Sequence, residues 1–237
     1  MTETLVQACG LHTYYGVSHV LRGVDFTVHR GETVGLMGRN GMGKTTLLKS
    51  LLGLVRPRSG TVTVRGRDMT GAAPHAIARA GIAYVPEGRG IFPNLSVREN
   101  LVMAARPGSD PSRAWTLERV LELFPRLAER LDHGGGQISG GEQQMLTIGR
   151  ALLTNPELLI LDEATEGLAP RVSQEIWQVI RRIKEDGIAT VIVDKNFAAV
   201  SLVADRVMIL VKGMTVFSGS AADLRARPEL HARYLGV

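Results

Sequence analysis

The chain has 237 residues, of which 44% are apolar, 22% charged and 5% aromatic, and its mean hydropathy is +0.06. This length and apolar content allow one sizeable core and exclude an intrinsically disordered chain. The longest apolar runs are far shorter than the roughly 20 residues that a membrane-spanning helix requires. The N-terminus, MTETLVQACG, lacks the basic flank and apolar segment of a secretory signal, and Cys9 is the single cysteine. We therefore expect a cytoplasmic protein without a disulfide or a multi-cysteine metal site.

The net charge of +5 is the difference between 28 basic and 23 acidic residues, and only five of the basic residues are lysines. They are scattered along the chain, with no run longer than two. Such a surface is compatible with nucleic acid, with an anionic membrane surface or with a polyanionic small molecule. Composition alone does not choose among these partners.

The first third of the chain is rich in short β-forming runs, at residues 24–29, 33–37, 61–64 and 82–85. Helical patterns interrupted by prolines follow from residue 96 to about 131, and a further helix is predicted from about 141 to 153. We interpret residues 88–153 as a helical lobe inserted into an α/β core.

Two continuous apolar runs, 158–161 and 188–193, lie on either side of an amphipathic helix predicted for 170–185. Apolar strands that alternate with helices indicate a parallel sheet covered on both faces. Strands at 207–211 and 215–217 and short helices complete the chain. The prediction is an α/β fold in one domain spanning residues 1–237.

A glycine-rich segment follows the predicted strand 33–37 and precedes a helix. It reads Gly38-Arg39-Asn40-Gly41-Met42-Gly43-Lys44-Thr45-Thr46 and satisfies the G-x-x-x-x-G-K-[ST] pattern. The glycines let backbone N–H groups turn towards phosphate oxygens, and the helix N-terminus favours the same negative charge. Lys44 is expected to reach the β- and γ-phosphates, and the Thr45 hydroxyl to ligate Mg²⁺. The segment predicts a nucleoside triphosphate site rather than a dinucleotide site, which requires a third glycine.

An acidic pair, Asp162-Glu163, follows the apolar run 158–161. A carboxylate at the tip of a strand can hold the hydrated magnesium ion, which is the role we assign to Asp162. Glu163 points in another direction and can polarise the attacking water. An ordinary solvated turn is the alternative for such a pair.

The segment Ser139-Gly140-Gly141-Glu142-Gln143 lies between these two motifs. Ser139 and Glu142 form a capping box, which on its own indicates only a well-made helix start. Two glycines in a first turn weaken a helix and are explained if the backbone must approach a ligand closely. Together, the three motifs resemble those of the ATP-binding cassette (ABC) family over nearly the whole chain.

The resemblance implies a P-loop NTPase core with a mixed or parallel sheet, an N-terminal antiparallel β lobe and an inserted α-helical lobe. It also implies ATP and Mg²⁺ as ligands and a head-to-tail dimer of two cassettes, identical or different. In that dimer, Ser139, Gly140 and Gly141 bind the γ-phosphate of the ATP held by the other subunit. The family's adenine-stacking aromatic corresponds to Tyr15, whose alternative role is packing at a sheet edge.

Two positions depart from the family's usual pattern. Glu87 stands where a glutamine usually senses Mg²⁺ and the γ-phosphate, and a carboxylate cannot donate a hydrogen bond. Lys195 occupies the position of the family's switch histidine. A lysine can contact the γ-phosphate as a point charge but does not reproduce a neutral imidazole. We therefore expect slow hydrolysis at this site, with a solvated loop lysine as the alternative for Lys195.

Within the family, the chain resembles the second ATP-binding subunit of branched-chain amino acid importers. The resemblance rests on these two departures together with two segments, Gly167-Leu168-Ala169-Pro170 and Tyr234-Leu235-Gly236. Importers of urea or short amides are close alternatives. This resemblance implies separate transmembrane permease subunits and a location on the inner face of the cell membrane. Arg89, Ile91 and Phe92 are the candidate permease contacts, with core packing as the alternative for Phe92.

Two other classes of protein compete with this reading. A DNA-repair or ribosome-associated ABC ATPase fits the positive charge, but such proteins generally carry coiled-coil or zinc insertions or a second cassette, and no nucleic acid is expected here. A P-loop kinase needs an acceptor site and does not explain the Ser139-Gly140-Gly141 segment.

Overall fold

A computed structural model of the protein describes residues 3–108, 112 and 114–234. The strands are β1 (Thr4–Tyr15), β2 (Ser18–His29), β3 (Thr33–Met37), β4 (Ser59–Val64), β5 (Arg67–Asp68), β6 (Ile82–Val85), β7 (Leu158–Asp162), β8 (Ala189–Val193), β9 (Arg206–Val211) and β10 (Met214–Ser220). The helices are α1 (Lys44–Leu51), α2 (Pro74–Arg79), α3 (Val97–Val102), α4 (Leu117–Leu123), α5 (Pro125–Ala128), α6 (Gly140–Leu152), α7 (Pro170–Glu185), α8 (Phe197–Val203), α9 (Ala221–Arg225) and α10 (Pro228–Tyr234).

A six-stranded sheet in the order β10-β9-β3-β8-β7-β6 forms the centre of the molecule. The five strands from β9 to β6 are parallel, and β10 adds an antiparallel edge. Every residue of β3, β7 and β8 is buried, because helices or the second sheet cover both faces. The carboxyl ends of β3 and β7, where the two predicted phosphate motifs begin, therefore lie at the same edge.

A second sheet, β2-β1-β4-β5, is entirely antiparallel and forms the predicted N-terminal β lobe. Strand β1 is absent from the sequence prediction, and β2 begins six residues before the predicted start at 24. Register shifts in β1 between Ala8 and Leu11, around the positive φ of Gly10, explain this difference. A bulge interrupts the period-two alternation by which a strand is recognised in a sequence.

Helices α3 to α6 lie between β6 and β7, where the sequence predicts an inserted helical lobe. Their apolar side chains, including Leu101, Val120, Leu127 and Leu146, belong to the same buried cluster as residues of the central sheet. Residues 109–111 and 113 of this segment lie outside the described residues. The proposed limits 88–153 and the single-domain organisation remain predictions.

Helix α7 occupies the residues predicted for it, 170–185, with Pro170 in its first turn and most of its apolar side chains buried. Among residues 3–108, 112 and 114–234, none of the helices combines the length and apolarity that a membrane crossing requires. Of the predicted C-terminal segment, Leu235 and Gly236 lie outside the described residues.

Candidate functional site

The loop between β3 and α1 is held in a shape that only glycine adopts without strain. Gly38 has a φ of 138°, and a Cβ there would lie 2.4 Å from the backbone oxygen of Leu210. Gly43 caps α1 with a φ of 103°, and its Cβ would lie 3.0 Å from Leu21 Cδ2. The loop backbone consequently turns tightly around the N-terminus of α1, as a phosphate-binding loop requires.

Lys44 is the first residue of α1, and its side chain folds back over the loop. Its Nζ donates hydrogen bonds to the backbone oxygens of Gly38, at 2.8 Å, and Arg39, at 3.2 Å. Burial lowers the pKa of the Lys44 ammonium, and the negative charges of Glu163 and Asp162 oppose that effect. A nearly buried cation is therefore fixed above the loop, opposite two carboxylates.

Asp162, the last residue of β7, is completely buried. The Tyr84 hydroxyl on the neighbouring strand β6 donates a hydrogen bond of 3.0 Å to Asp162 Oδ2. Burial raises the pKa of Asp162, while the hydrogen bond from Tyr84 lowers it. Oδ1 has no hydrogen-bond partner in the described part of the chain. A buried carboxylate oxygen without a donor fits a site for a hard cation, since such oxygens are seldom left unpaired.

Glu163 follows Asp162 but points elsewhere, because its φ of 53° lies in the left-handed region. Its backbone N–H donates to Val193 O at 2.8 Å, which fixes this turn against the end of β8. Burial, followed by a hydrogen bond with the Glu166 carboxyl, raises the pKa of Glu163 to about 7. The arrangement gives an acid–base group that titrates near neutral pH.

One cavity of about 430 Å³ joins these segments. Its walls come from the phosphate loop, the start of α1, strand β2 and the loops after β6, β7 and β8: Val20, Asn40, Gly41, Gly43, Lys44, Thr45, Thr46, Glu87, Glu163, Glu166 and Lys195. The fold thus brings together residues that the sequence separates by more than 100 positions.

The exposed carboxylate of Glu87 faces the acids that follow β7. Ligand oxygens of Glu87, Glu163 and Glu166 all lie within 4.8 Å of one another. Glu166 was not anticipated from the sequence. Its only sequence signal is an acid three residues after Glu163, a spacing that a solvated turn shares.

Comparison with known proteins agrees with this geometry. The sequence model of the family described as "ABC transporter" matches residues 21–166, which include the phosphate loop, the Ser139 segment and the acidic pair. The chain belongs to the ABC transporter family. It is an ABC ATPase, a nucleotide-binding and ATP-hydrolysing class of transporter subunit.

Two relatives of this ABC ATPase align with it along almost their full length. It is 42% identical to the high-affinity branched-chain amino acid transport ATP-binding protein BraG of Pseudomonas aeruginosa, over 94% of this chain and 96% of BraG. It is 32% identical to the probable branched-chain amino acid transport ATP-binding protein LivF of Archaeoglobus fulgidus, over 98% of this chain and 99% of LivF. A solved ATP-binding subunit of an ABC transporter superposes with a TM-score of 0.83 at 30% identity, covering 98% of this chain and 96% of the other. The predicted α/β fold of the ABC ATPases is confirmed.

The Ser139 segment of this ABC ATPase does not line the cavity around Lys44. Ser139 caps α6 and forms the predicted capping box with Glu142, whose Oε2 accepts from Ser139 N at 2.7 Å. A Cβ at Gly140 would lie 2.7 Å from the Arg89 guanidinium, and one at Gly141 would lie 2.6 Å from Val172. The Arg89 guanidinium can move aside, but the contact with Val172 supplies a second reason for Gly141, beside approach to a ligand.

Several further predicted residues, Gly38 and Asp162 among them, also lie outside the lining of that cavity. Tyr15 ends β1 and is 47% exposed, and Arg39 is exposed in the phosphate loop. Met42 accepts from Gly213 N through its backbone oxygen, at 3.0 Å. Phe92 is 47% exposed, which contradicts the alternative of a core residue. The nucleotide-binding roles of Tyr15, Arg39 and Met42 remain predictions.

Proposed function

We propose that this ABC ATPase energises the uptake of branched-chain amino acids through a separate permease. The observation that carries the ATPase site is the meeting of Lys44, Asp162 and Glu163 at the carboxyl ends of β3 and β7. The solute is inferred from the relatives, because both BraG and LivF are named for branched-chain amino acid transport.

In this proposal, the phosphate loop from Gly38 to Thr46 binds the triphosphate of ATP through backbone N–H groups and the N-terminus of α1. Lys44 exchanges its bonds to the Gly38 and Arg39 oxygens for phosphate oxygens. Thr45, Asp162 and Glu87 hold Mg²⁺, and the unpartnered Oδ1 of Asp162 supports this assignment. The ion supplies charge neutralisation on the β- and γ-phosphates.

Glu163 is proposed to orient the attacking water and accept its proton. Its turn at the end of β7 directs the carboxylate into the cavity, and a pKa of about 7 keeps it largely ionised above neutral pH. Lys195, on the opposite wall, is proposed to contact the γ-phosphate as a point charge.

Ser139, Gly140 and Gly141 are proposed to serve the ATP of a second ABC subunit in a head-to-tail dimer. Ser139 is exposed and the two glycines are half-buried at the N-terminus of α6, outside the lining of the cavity around Lys44, and this position supports the role. Tyr15 is proposed to stack on the adenine, and its half-exposed ring supports that proposal.

Arg89, Ile91 and Phe92 are proposed to contact a transmembrane permease subunit, which would hold the chain at the inner face of the membrane. The half-exposed Phe92 ring supports a contact of this kind. No nucleic-acid partner is proposed.

The test is solute uptake in the cell that encodes this chain. Replacing Lys44 with Ala should abolish uptake of radiolabelled leucine, isoleucine and valine while leaving uptake of an unrelated solute unchanged. Loss of urea uptake with normal leucine uptake would contradict the proposed solute. Recovery of the tagged chain with nucleic acid rather than with membrane proteins, in a salt-sensitive manner, would contradict the transport role itself.

A further inference from the structure

Glu166 contacts both of the charged side chains that the proposed hydrolysis uses. Its Oε1 forms an ion pair and hydrogen bond with Lys195 Nζ, and a carboxylate oxygen of Glu166 lies within 4.8 Å of one of Glu163. Lys195 Nζ also lies 3.6 Å from Glu163 Oε2, which is too long for a hydrogen bond. One ammonium therefore stands between two carboxylates and binds Glu166 more closely.

The loops that carry these groups are joined residue by residue. Thr165 Oγ1 donates to Asp194 Oδ2, and the next residues in each loop, Glu166 and Lys195, form the ion pair. Asp194 also accepts from Asn196 N at 2.8 Å, which fixes the backbone on the far side of Lys195. The backbone on both sides of Lys195 is therefore held, and its choice of carboxylate depends mainly on side-chain rotation.

The choice matters for catalysis because Glu163 has to accept a proton from water. A general base must lie within hydrogen-bond reach of the water whose proton it accepts. If Lys195 bound Glu163 as closely as it binds Glu166, the ammonium would occupy the Glu163 oxygen that has to reach the water. The contact with Glu166 keeps that from happening.

We propose that Glu166 is a positioning residue that draws Lys195 away from Glu163 and so keeps the catalytic carboxylate free to activate water. This inference rests on the proposed role of Glu163. It assigns Glu166 a function that neither the phosphate loop nor the acidic pair requires. In the absence of the Glu166 charge, Lys195 turns to Glu163. Among the described residues, Glu163 is the other carboxylate within ion-pair distance of Lys195.

The test is a double-mutant cycle on ATP hydrolysis by the full-length chain assembled with its permease. In the presence of Lys195, Glu166→Gln should lower kcat about 5–10-fold and change the KM for ATP less than about two-fold. In a Lys195→Met background, the same Glu166→Gln change should alter kcat less than about two-fold, because no ammonium remains to occupy Glu163. Equal falls in both backgrounds, or no fall in either, would overturn the proposal.

A matched control removes a carboxylate charge elsewhere. Glu185, 68% exposed and 3.7 Å from Arg182, lies at the end of α7, so Glu185→Gln should leave kcat and KM unchanged. Glu166→Asp keeps the charge on a shorter side chain and should recover part of the kcat lost in Glu166→Gln. Failure of the aspartate to recover any activity would count against a charge-based role.

A readout independent of turnover separates this inference from the proposed function. Acetylation of Lys195 by a water-soluble acylating reagent, measured by mass spectrometry relative to the exposed Lys212, reports whether the amine is engaged. Labelling should be slow in the wild type, little faster in Glu166→Gln and fastest in Glu163→Gln combined with Glu166→Gln. Equal labelling in all three would overturn the proposal even if hydrolysis behaved as expected. Conversely, normal hydrolysis by Glu163→Gln would contradict the general-base role while the labelling pattern still tested the ion pair.

Discussion

The two walls of the nucleotide cavity are built in different ways. The wall formed by β3, the phosphate loop and α1 is fixed by backbone geometry, with Gly38 against Leu210 and Lys44 bonded to loop carbonyls. The opposite wall consists of charged side chains from three loops, namely Glu87, Glu163, Glu166 and Lys195. The backbone of the first wall holds phosphates in one position. In the second wall the charged side chains contact one another, so a single substitution changes the environment of the others. The first wall agrees with the family pattern, and the second departs from it.

The largest effect is expected at the catalytic carboxylate of the charged wall. Glu163→Gln should still bind ATP, because the phosphate loop is untouched, but should lower kcat about 100-fold or more, since an amide does not accept the proton from water. Trapping of an ATP-bound dimer should be visible by size-exclusion chromatography. Turnover close to that of the wild type would show that the charged wall does not contain the base.

A substitution in the wall formed by β3, the phosphate loop and α1 should weaken ATP binding and not the chemical step. Gly38→Ala places a Cβ 2.4 Å from the Leu210 backbone oxygen at a φ of 138°, so the loop must change shape. A strain of this kind costs about 1–3 kcal/mol, and ATP affinity measured by calorimetry should fall about ten-fold or more. Gly66→Ala is the control, because its φ of 73° carries similar backbone strain with nothing within 4 Å, far from the loop. Equal effects of the two substitutions on ATP affinity would contradict the argument.

Tyr84 donates a hydrogen bond to Asp162, the proposed metal ligand that precedes Glu163. Tyr84→Phe removes the hydrogen bond to Oδ2 and leaves a buried carboxylate less well paired, which should lower the free energy of unfolding by about 1–2 kcal/mol without nucleotide. Because Mg²⁺ also compensates the carboxylate, the loss should shrink when MgATP is present. Thermal unfolding with and without MgATP measures the loss of stability under the two conditions. Tyr14→Phe in the N-terminal β lobe is the control. A loss that is the same under both conditions would argue that Asp162 does not face the metal.

A substitution at Lys195 tests whether a lysine in place of the family's histidine slows ATP turnover. Lys195→His restores the residue that the family usually carries, and we expect a several-fold rise in the ATPase activity of the assembled transporter. The imidazole can donate and accept hydrogen bonds at the γ-phosphate, whereas an ammonium only donates. Unchanged or lower activity would place Lys195 outside the switch position.

The smallest effect is a pH dependence of folding stability. The pKa of Glu163 is raised from 4.5 to about 7, so the folded state binds more protons than the unfolded state between these values. Stability should therefore fall as pH rises through this window, by about 1 kcal/mol after allowance for solvent screening. Glu166, whose pKa is lowered by its bonds to Glu163 and Lys195, titrates below the window and does not cancel the effect. Denaturant unfolding of wild type and Glu163→Gln at pH 5 and pH 8 should show a smaller decrease in the variant.

The comparison also explains which parts of the site could be predicted from the sequence. The phosphate loop is recognisable because its motif occupies nine consecutive residues and because glycine is needed at fixed positions of its backbone. The role of Tyr84 was not predicted, since its contact with Asp162 joins residues 78 positions apart on adjacent strands. Glu166 was missed for the same reason, because its partner Lys195 is 29 residues away in another loop.

The sequence alone determined the family, the alternation of strands and helices, and the residue types available to bind phosphate and magnesium. Those features depend on local backbone preference, apolar periodicity and short motifs, all of which act over a few neighbouring residues. Only the tertiary structure showed that Glu166 competes with Glu163 for Lys195 and that Arg89 lies against Gly140. It also showed that β1 lies between β2 and β4 in the antiparallel sheet. Electrostatic and packing interactions depend on distance in space, and the parallel sheet brings distant loops to one edge in a way that chain order does not reveal.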